Sequence, residues 1–211
     1  MNRLVEIPIN EPVLEYKSKS KEKIELKKKI QELKNKEIDI PMYIGGKEIR
    51  TKNKIRISPP HDHNHTLGHY NKGDESHVKS AVKAALDAKE NWNRMGSDKR
   101  AKIFIKAAEL LAGPYRSEIN ATTMLGQSKN VFQAEIDAAC ELIDFLRFNP
   151  YFMKKIHEDQ PISPDGMKNS LSYRPLEGFI FALSPFNFTS IAGNLCSSVA
   201  LMGNTVVWKA S

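Results

Sequence analysis

The chain has 211 residues, of which 40% are hydrophobic and 27% are charged. This composition is ordinary for a soluble protein and supplies enough apolar material for one good-sized domain or two small ones. Its 32 Lys and Arg residues against 25 Asp and Glu give a net charge of +7. Such a surplus allows a nucleic-acid partner, but a segment of a larger protein need not be charge-balanced, and we favour that second interpretation.

The two cysteines, Cys140 and Cys196, lie among apolar and small residues. We expect reduced, buried thiols rather than a disulfide framework. The most apolar stretch, residues 178–202, is interrupted by Pro185 and Gly193, which makes it a poor membrane span. The first residues show neither a secretory signal nor a good transit peptide. We therefore expect a cytoplasmic protein without a membrane partner, or a mitochondrial-matrix protein if it is eukaryotic and its transit peptide is missing.

Residues 1–40 are predicted to form an extended arm followed by a polar helix over residues 20–36. The helix carries only a thin apolar stripe, and its lysines include the run Lys27, Lys28 and Lys29. These lysines could contact phosphates, but such a run is more often the solvated face of a helix, and we favour that interpretation.

Short β-type runs occur around residues 43–44, 48–50 and 55–57, with a Gly-Gly turn between the first two. A segment rich in Pro, Asp and Asn then carries four histidines, His61, His63, His65 and His69. Alternating histidines could bind a metal ion, but no cysteine lies near them. We favour a surface turn and expect no metal.

Helical spacing predicts most of residues 74–158. The first two helices are expected to begin at Asp74 and Asp98, both of which can act as N-caps, and the second to end at Gly113. A third helix is predicted over residues 115–126.

A fourth helix is predicted to begin near Asn130, and either to end near Pro150 or to continue beyond a kink there to residue 157. Its apolar face is expected to comprise Ile136, Ala139, Leu142, Ile143 and Leu146. Three carboxylates, Asp137, Glu141 and Asp144, follow at intervals of four and three residues, which predicts that they share one face. Such a face is usually exposed to water.

Residues 159–174 are rich in Pro, Asp, Gly and Ser and contain one alternating stretch. This pattern predicts an excursion from the main body, most simply a β-ribbon.

Residues 175–211 give the clearest pattern. A continuously apolar run over residues 178–183 is typical of a strand buried on both faces of a parallel sheet. A turn over residues 184–188, a small-residue helix over 189–202 and a second strand over 205–208 complete a βαβ unit. In such sheets ligands bind at the carboxyl ends of the strands, which places the turn and residues 209–211 at a candidate crevice.

Two motifs in this unit carry a resemblance. SPFNF after the first strand and GNTVVWKAS some twenty residues later are similar to the aldehyde dehydrogenase superfamily patterns P-W/F-N-F/Y-P and GN-x-V/I-V-x-KP-S/A. Upstream, NEPVLEY, GQSKNVFQAEIDAACELIDFLRFN and YRPLEGFIFALSPFNFTSIAGNL resemble the Δ1-pyrroline-5-carboxylate dehydrogenase branch. Two departures stand out: Thr189 replaces the superfamily's usual proline, which fits this branch, and Ala210 stands where many members have proline.

The resemblance implies an α/β fold: the amino-terminal part of the aldehyde dehydrogenase fold, an incomplete Rossmann-like parallel sheet with flanking helices. Residues 41–158 would be the helical part of the NAD-binding domain, 159–174 the oligomerisation ribbon, and 175–211 the first βαβ unit. It further implies NAD as cofactor, a small aldehyde as substrate and a homo-oligomeric parent enzyme.

The resemblance also assigns roles to residues. The side-chain amide of Asn187 would stabilise the oxyanion formed when a cysteine thiolate attacks the aldehyde; otherwise it is a turn residue bonded to its own backbone. The cofactor would contact Ser184, Pro185, Phe186, Lys209 and Ser211, although a lysine after a buried strand often only marks where the strand reaches water.

Glu141 would meet the substrate's ammonium group and Phe188 its aliphatic stem; otherwise the first is a solvated carboxylate and the second a core aromatic. Neither cysteine has the Gly-Gln-x-Cys setting of the family's nucleophile, so we expect the nucleophile to lie beyond Ser211 and this chain to be inactive alone. The expected reaction of the parent enzyme is oxidation of L-glutamate γ-semialdehyde to L-glutamate in proline degradation. Alternatives are another aldehyde dehydrogenase and a non-catalytic basic interaction module. An open apolar sheet edge after Trp208 predicts poor solubility.

Overall fold

A computed structural model describes residues 7–211 of the chain. The predicted arm begins outside these residues, and its described part runs without regular structure to Tyr16. Helix α1 (Lys21–Lys34) follows, and the Ser20 hydroxyl caps it by accepting the Lys23 N–H at 3.4 Å. Leu26 is the one buried residue of α1 and packs with Tyr16 and Ala121. The prediction of a polar helix with a thin apolar stripe is confirmed.

The strand region contains two small sheets. Strands β2 (Met42–Ile44) and β3 (Lys47–Ile49) form an antiparallel hairpin around Gly45 and Gly46, both of which have positive φ. A three-stranded sheet has the order β1-β5-β4, formed by Ile38–Ile40, Gly68–Asn71 and Lys54–Ile57. Gly68 is required there, since a Cβ would lie 2.1 Å from the Ile38 carbonyl oxygen.

The three predicted strand runs are confirmed, but β1 and β5 were missed. His69 lies in β5 and not in a surface turn, so that part of the prediction was wrong. The rest of the histidine segment is held by Arg56, whose guanidinium donates to the His63 and His65 carbonyls at 2.7 and 3.1 Å.

Helices α2 (Glu75–Arg94), α3 (Ser97–Ala112) and α4 (Arg116–Gln127) follow. Asp74 caps α2 as predicted, since its carboxylate accepts the N–H groups of Ser76 and His77. The prediction that Asp98 caps α3 was wrong, because α3 begins at Ser97 after Gly96, whose φ of 80° favours glycine. Asp98 lies in the first turn of α3, where a negative charge favours the helix dipole.

The predicted fourth helix is continuous from residue 131 to 158 and has three parts. These are α5 (Val131–Ala134), a π-helical segment (Glu135–Glu141) and α6 (Leu142–Glu158). The helix begins after Asn130, as predicted, and the Asn130 side chain caps it by accepting the Gln133 N–H at 3.0 Å. Pro150 lies inside α6 without ending it. Ile143 and Leu146 pack against Ala108 of α3 to form the main core. Ile136 was wrongly assigned to this core, because the wide π turn leaves its side chain 54% exposed.

The described part of the arm is fastened to these helices by buried charges. Glu135 is fully buried and accepts the Leu14 N–H at 2.8 Å and the Tyr16 hydroxyl at 2.7 Å. Arg116 pairs with both Glu135 and Glu11 and also donates to the Pro12 carbonyl. The motif NEPVLEY is therefore a docking segment that binds the α4 and π-helical surfaces.

Residues 159–174 make the predicted excursion, but no backbone strand pairing is present within them. Side chains join the first and second halves of this segment instead: Gln160 accepts the Leu171 N–H at 2.7 Å, and Ser163 accepts the Asn169 N–H at 3.0 Å. The β-ladder expected there was wrong, since side-chain acceptors take up these N–H groups.

The βαβ unit and the predicted α/β class are confirmed. Strands β6 (Ile180–Leu183) and β7 (Val206–Lys209) are parallel and are connected by α7 (Thr189–Leu201). The expectation that β6 is buried on both faces was wrong: Ala182 is buried, but Phe181 and Leu183 are each 60% exposed. Alternate residues of β6 point to opposite faces, and in the described residues one face remains uncovered.

Candidate functional site

The site lies where β6 and β7 end side by side. The Ser184 N–H donates to the Lys209 carbonyl at 3.2 Å, and the Trp208 indole N–H donates to the Ser184 hydroxyl. These bonds bring the turn of residues 184–188 next to residues 209–211, as the parallel βαβ pattern predicts.

Asn187 is exposed on this turn, and its side-chain amide has no hydrogen-bond partner among residues 7–211. Its backbone carbonyl accepts the Lys129 ammonium at 2.5 Å. The interpretation of Asn187 as a turn residue bonded to its own backbone therefore has no support in the geometry. An unengaged amide at a strand end is free to donate to an incoming oxyanion.

Lys129 was missed by the sequence analysis. It follows Ser128, whose left-handed φ of 57° ends α4, and its side chain is only 16% exposed. Its ammonium pairs with Asp137 at 2.6 Å and lies 4.3 Å from the centroid of the Phe188 ring. Phe188 is 38% exposed, so it is neither a plain core aromatic nor a fully open one. The only sequence signal for Lys129 was its place inside the quoted GQSKN motif.

Asp137 and Glu141 face the start of α7. Asp137 is buried and accepts the Thr189 and Ser190 N–H groups at 3.3 Å each, which caps a helix that has no side-chain cap of its own. The Ser190 hydroxyl lies 2.8 Å from Asp137 and 2.6 Å from Glu141. A hydroxyl has one proton to donate, so the two carboxylates share it.

Asp144 does not join these two carboxylates, so the prediction of one shared face was wrong for it. It accepts the Glu11 N–H at 2.7 Å and the Asn10 amide at 2.6 Å. Three residues on a helix fall roughly 60° short of a full turn, which carries Asp144 round from Glu141 towards the docked arm.

Four of the five predicted cofactor residues lie on the open side of the strand ends, whereas Ser184 is buried, at 8% exposed. Phe186 is 77% exposed, Lys209 and Ser211 are exposed, and Pro185 is half-buried. The exposed Lys209 ammonium and Ser211 hydroxyl are groups that can bind ribose hydroxyls or phosphate oxygens, whereas the buried Ser184 hydroxyl already accepts the Trp208 indole N–H. The residues present therefore fit a nucleotide.

The cysteines lie away from this edge. Burial raises the pKa of the Cys140 thiol to about 11, and burial likewise raises that of Cys196 to about 11. Cys140 is buried as expected, whereas Cys196 is only half-buried, and both are free thiols. A thiol with so high a pKa is a poor nucleophile at neutral pH.

Residues 7–211 contain neither a cluster of metal ligands nor a membrane-spanning helix. No group of three or more His, Cys, Asp or Glu residues in this range is arranged to hold a metal ion. No helix in this range is both long and apolar enough to span a membrane.

The parallel βαβ unit, with a turn at the carboxyl ends of its strands, places this chain among the α/β proteins. Residues 48–211 match the model of the aldehyde dehydrogenase family, and the chain belongs to that family. It is 46% identical over 203 residues to the mitochondrial Δ1-pyrroline-5-carboxylate dehydrogenase of Danio rerio, covering 96% of this chain and 36% of that protein.

Two solved structures of dehydrogenases with similar names are also similar to this chain. The Δ1-pyrroline-5-carboxylate dehydrogenase of Mycobacterium tuberculosis bound with NAD superposes with a TM-score of 0.96 at 50% identity, over 98% of this chain and 39% of that one. The 1-pyrroline-5-carboxylate dehydrogenase from Thermus with bound NAD gives 0.86 at 25% identity, over 97% of this chain and 40% of that one. The chain thus spans well under half the length of these relatives.

Proposed function

We propose that this chain is the amino-terminal segment of an NAD-dependent dehydrogenase that oxidises L-glutamate γ-semialdehyde, the ring-opened form of 1-pyrroline-5-carboxylate, to L-glutamate. The observation that carries the proposal is the free Asn187 amide at the strand ends, directly beside the groups suited to a nucleotide. The names of the relatives and the NAD in two of the solved structures support the substrate and the cofactor.

In this proposal a cysteine thiolate from outside the described chain attacks the aldehyde carbon. The carbonyl oxygen gains negative charge, and the Asn187 side-chain N–H donates a hydrogen bond to it. NAD, when bound, supplies the hydride acceptor. Lys209 and Ser211 would hold its adenosine ribose hydroxyls, and Ser184, Pro185 and Phe186 would contact the cofactor near its nicotinamide.

Substrate selection rests on Glu141 and Phe188. The Glu141 carboxylate is exposed beyond its contact with Ser190, so it can pair with the substrate's ammonium group, and such charge-assisted bonds are strong. Phe188 offers a half-exposed ring to the aliphatic stem. In the longer parent enzyme, Glu141→Gln is expected to raise KM for the semialdehyde about tenfold or more. Its kcat and its affinity for NAD should change little.

The basic interaction module is less well supported. Helix α1 packs against α4, and Lys29 pairs with Glu32 and Glu118, which reduces the unpaired charge on that face. Binding to nucleic acid that weakens steeply with salt would revive this alternative. For location we keep the expectation from sequence: the cytoplasm, or the mitochondrial matrix in a eukaryote.

Two measurements on the 211-residue chain test the proposal. NAD titrated against the combined fluorescence of Trp92 and Trp208 should show binding that Lys209→Ala weakens about tenfold and that Lys83→Ala, on the exposed face of α2, leaves unchanged. Absence of NAD binding to the chain would count against the cofactor assignment. NADH formation from the semialdehyde at the rate of a complete enzyme would contradict the claim that neither Cys140 nor Cys196 is the nucleophile.

A further inference from the structure

We propose that Lys129 and Asp137 are positioning residues that clamp the backbone on both sides of Asn187 and so aim its side-chain amide. The proposal rests on the function proposed above. The clamp itself is defined by contacts within the chain and can be tested without turnover.

The Lys129 half of the clamp acts before the start of α7. The Lys129 ammonium donates to the Asn187 carbonyl at 2.5 Å, pairs with Asp137 at 2.6 Å and lies over the Phe188 ring. One cation thus contacts two consecutive residues of the turn. The backbone leaves α4 at Ser128, which has a left-handed conformation, and Lys129 follows directly after it. This change of backbone direction turns the Lys129 side chain towards residues 187 and 188.

The Asp137 half acts at the first turn of α7. One carboxylate oxygen accepts the Thr189 N–H, and the other accepts both the N–H and the hydroxyl of Ser190. Phe188, at the N-cap position, cannot supply a side-chain acceptor. The helix that follows Asn187 is therefore capped from the π-helical segment, and the cap and the lysine share one carboxylate.

The effect of losing Lys129 should be mainly local, because Asp137 would not be left without partners. The side chains of Lys129 and Asp137 are 16% and 6% exposed. Removing one partner of a buried ion pair is costly when the other charge is left unpaired, but Asp137 would still accept the Thr189 N–H and the N–H and hydroxyl of Ser190. The Asn187 amide has no partner of its own among the described residues, so the backbone, by fixing the Cα–Cβ bond, sets which positions the amide can reach. Loss of the clamp should loosen residues 187–190 while the rest of the fold holds.

The experiment is hydrogen–deuterium exchange on the 211-residue chain. Lys129→Met keeps the aliphatic stem over Phe188 but removes the ammonium, and exchange of the Thr189 and Ser190 N–H groups, which are bonded to Asp137, should quicken about tenfold or more. Lys129→Arg should restore near-original exchange, since the guanidinium can make both polar contacts. Thr189→Pro removes one N–H donor to Asp137 at the first helical position, where proline is well tolerated, and should give a smaller increase.

Lys83→Met, which removes an exposed lysine paired with Asp87, serves as the control and should change nothing. Unchanged exchange at Thr189 and Ser190 in Lys129→Met overturns the clamp, and so does a uniform increase that includes α2 and α3. Failure of Lys129→Arg to restore order also overturns it. If NAD does not bind while the exchange results hold, the proposed function fails and the clamp stands.

Discussion

Replacing Glu135 with glutamine should destabilise the chain more than any surface change. Glu135 is fully buried, and its two oxygens accept from Leu14, Tyr16, Asn120 and Arg116. Glutamine has one oxygen, so its NH₂ group would face donors. Removing one partner of a buried ion pair costs about 3–5 kcal/mol. We expect about 3 kcal/mol, because Glu11 still compensates part of the Arg116 charge.

Urea unfolding at pH 7 measures this loss, with Glu109→Gln as the matched control. Glu109 forms an exposed pair with Lys106, and such pairs contribute at most about 1 kcal/mol. The slope of unfolding free energy against urea should change little if only stability is affected.

The pH dependence gives a second check. Burial opposes ionisation of Glu135, but hydrogen bonds from Arg116, the Leu14 N–H and Tyr16 outweigh it, so its pKa lies below the ordinary 4.5. A lowered pKa in the folded state contributes stability above 4.5 that is lost as pH falls through the folded value. The gap between the original chain and Glu135→Gln should therefore narrow below pH 4.5. A gap under about 1 kcal/mol at pH 7, or one that stays constant on acidification, would refute the reasoning.

Three further predictions concern the helices and the thiols. Asn130→Ala removes the cap of the long helix and should cost about 1 kcal/mol in unfolding free energy, whereas Asn130→Ser should cost little. Gly193→Ala should destabilise by about 1 kcal/mol although alanine favours helices, because its Cβ would lie 2.6 Å from a Leu142 methyl; a stabilised variant would show that Leu142 can move aside. Cys140 and Cys196 should react with iodoacetamide far more slowly than a free thiol at pH 8 and faster as the pH approaches 11, and rapid labelling of either in the native chain would contradict its high pKa.

Local signals explain how much of the fold was predictable. The helix beginning at Asp74, the Gly45-Gly46 hairpin and the βαβ unit each depend on residues close together in the chain. Pairings over longer distances left no such signal: β1 joins β5 thirty residues away, and the Glu135 carboxylate is satisfied by the arm more than a hundred residues before it.

The candidate site also combines residues with a local sequence signal and residues that only long-range contacts bring together. The neighbouring positions of Ser184, Asn187 and Lys209 were predictable because two quoted motifs contain them and parallel strands bring their ends together; their roles stay predictions. Lys129 and Asp137 come from other elements, and each looked like an ordinary surface charge. Only the tertiary fold shows that their side chains meet at the turn.

The π-helical segment lets one helix contact the arm through Glu135 and the start of α7 through Asp137. Deleting one residue from it tests this interpretation. The arm side carries Glu135 and Cys140, which are five residues apart, whereas regular helical spacing is four. We take Ile136 as the extra residue, because its side chain is 54% exposed and does not belong to the core. A π turn is a one-residue insertion, so deleting Ile136 should restore a regular helix and keep both the arm contacts and the Asp137 contacts.

Unfolding free energy should then change by less than about 1 kcal/mol. Deleting Lys102, which is also exposed but lies within the regular helix α3, should cost several kcal/mol, because the following residues rotate by about 100° and Ala108 leaves the core. If both deletions were equally damaging, the wide turn would itself be required, and the view of Ile136 as a tolerated insertion would be wrong.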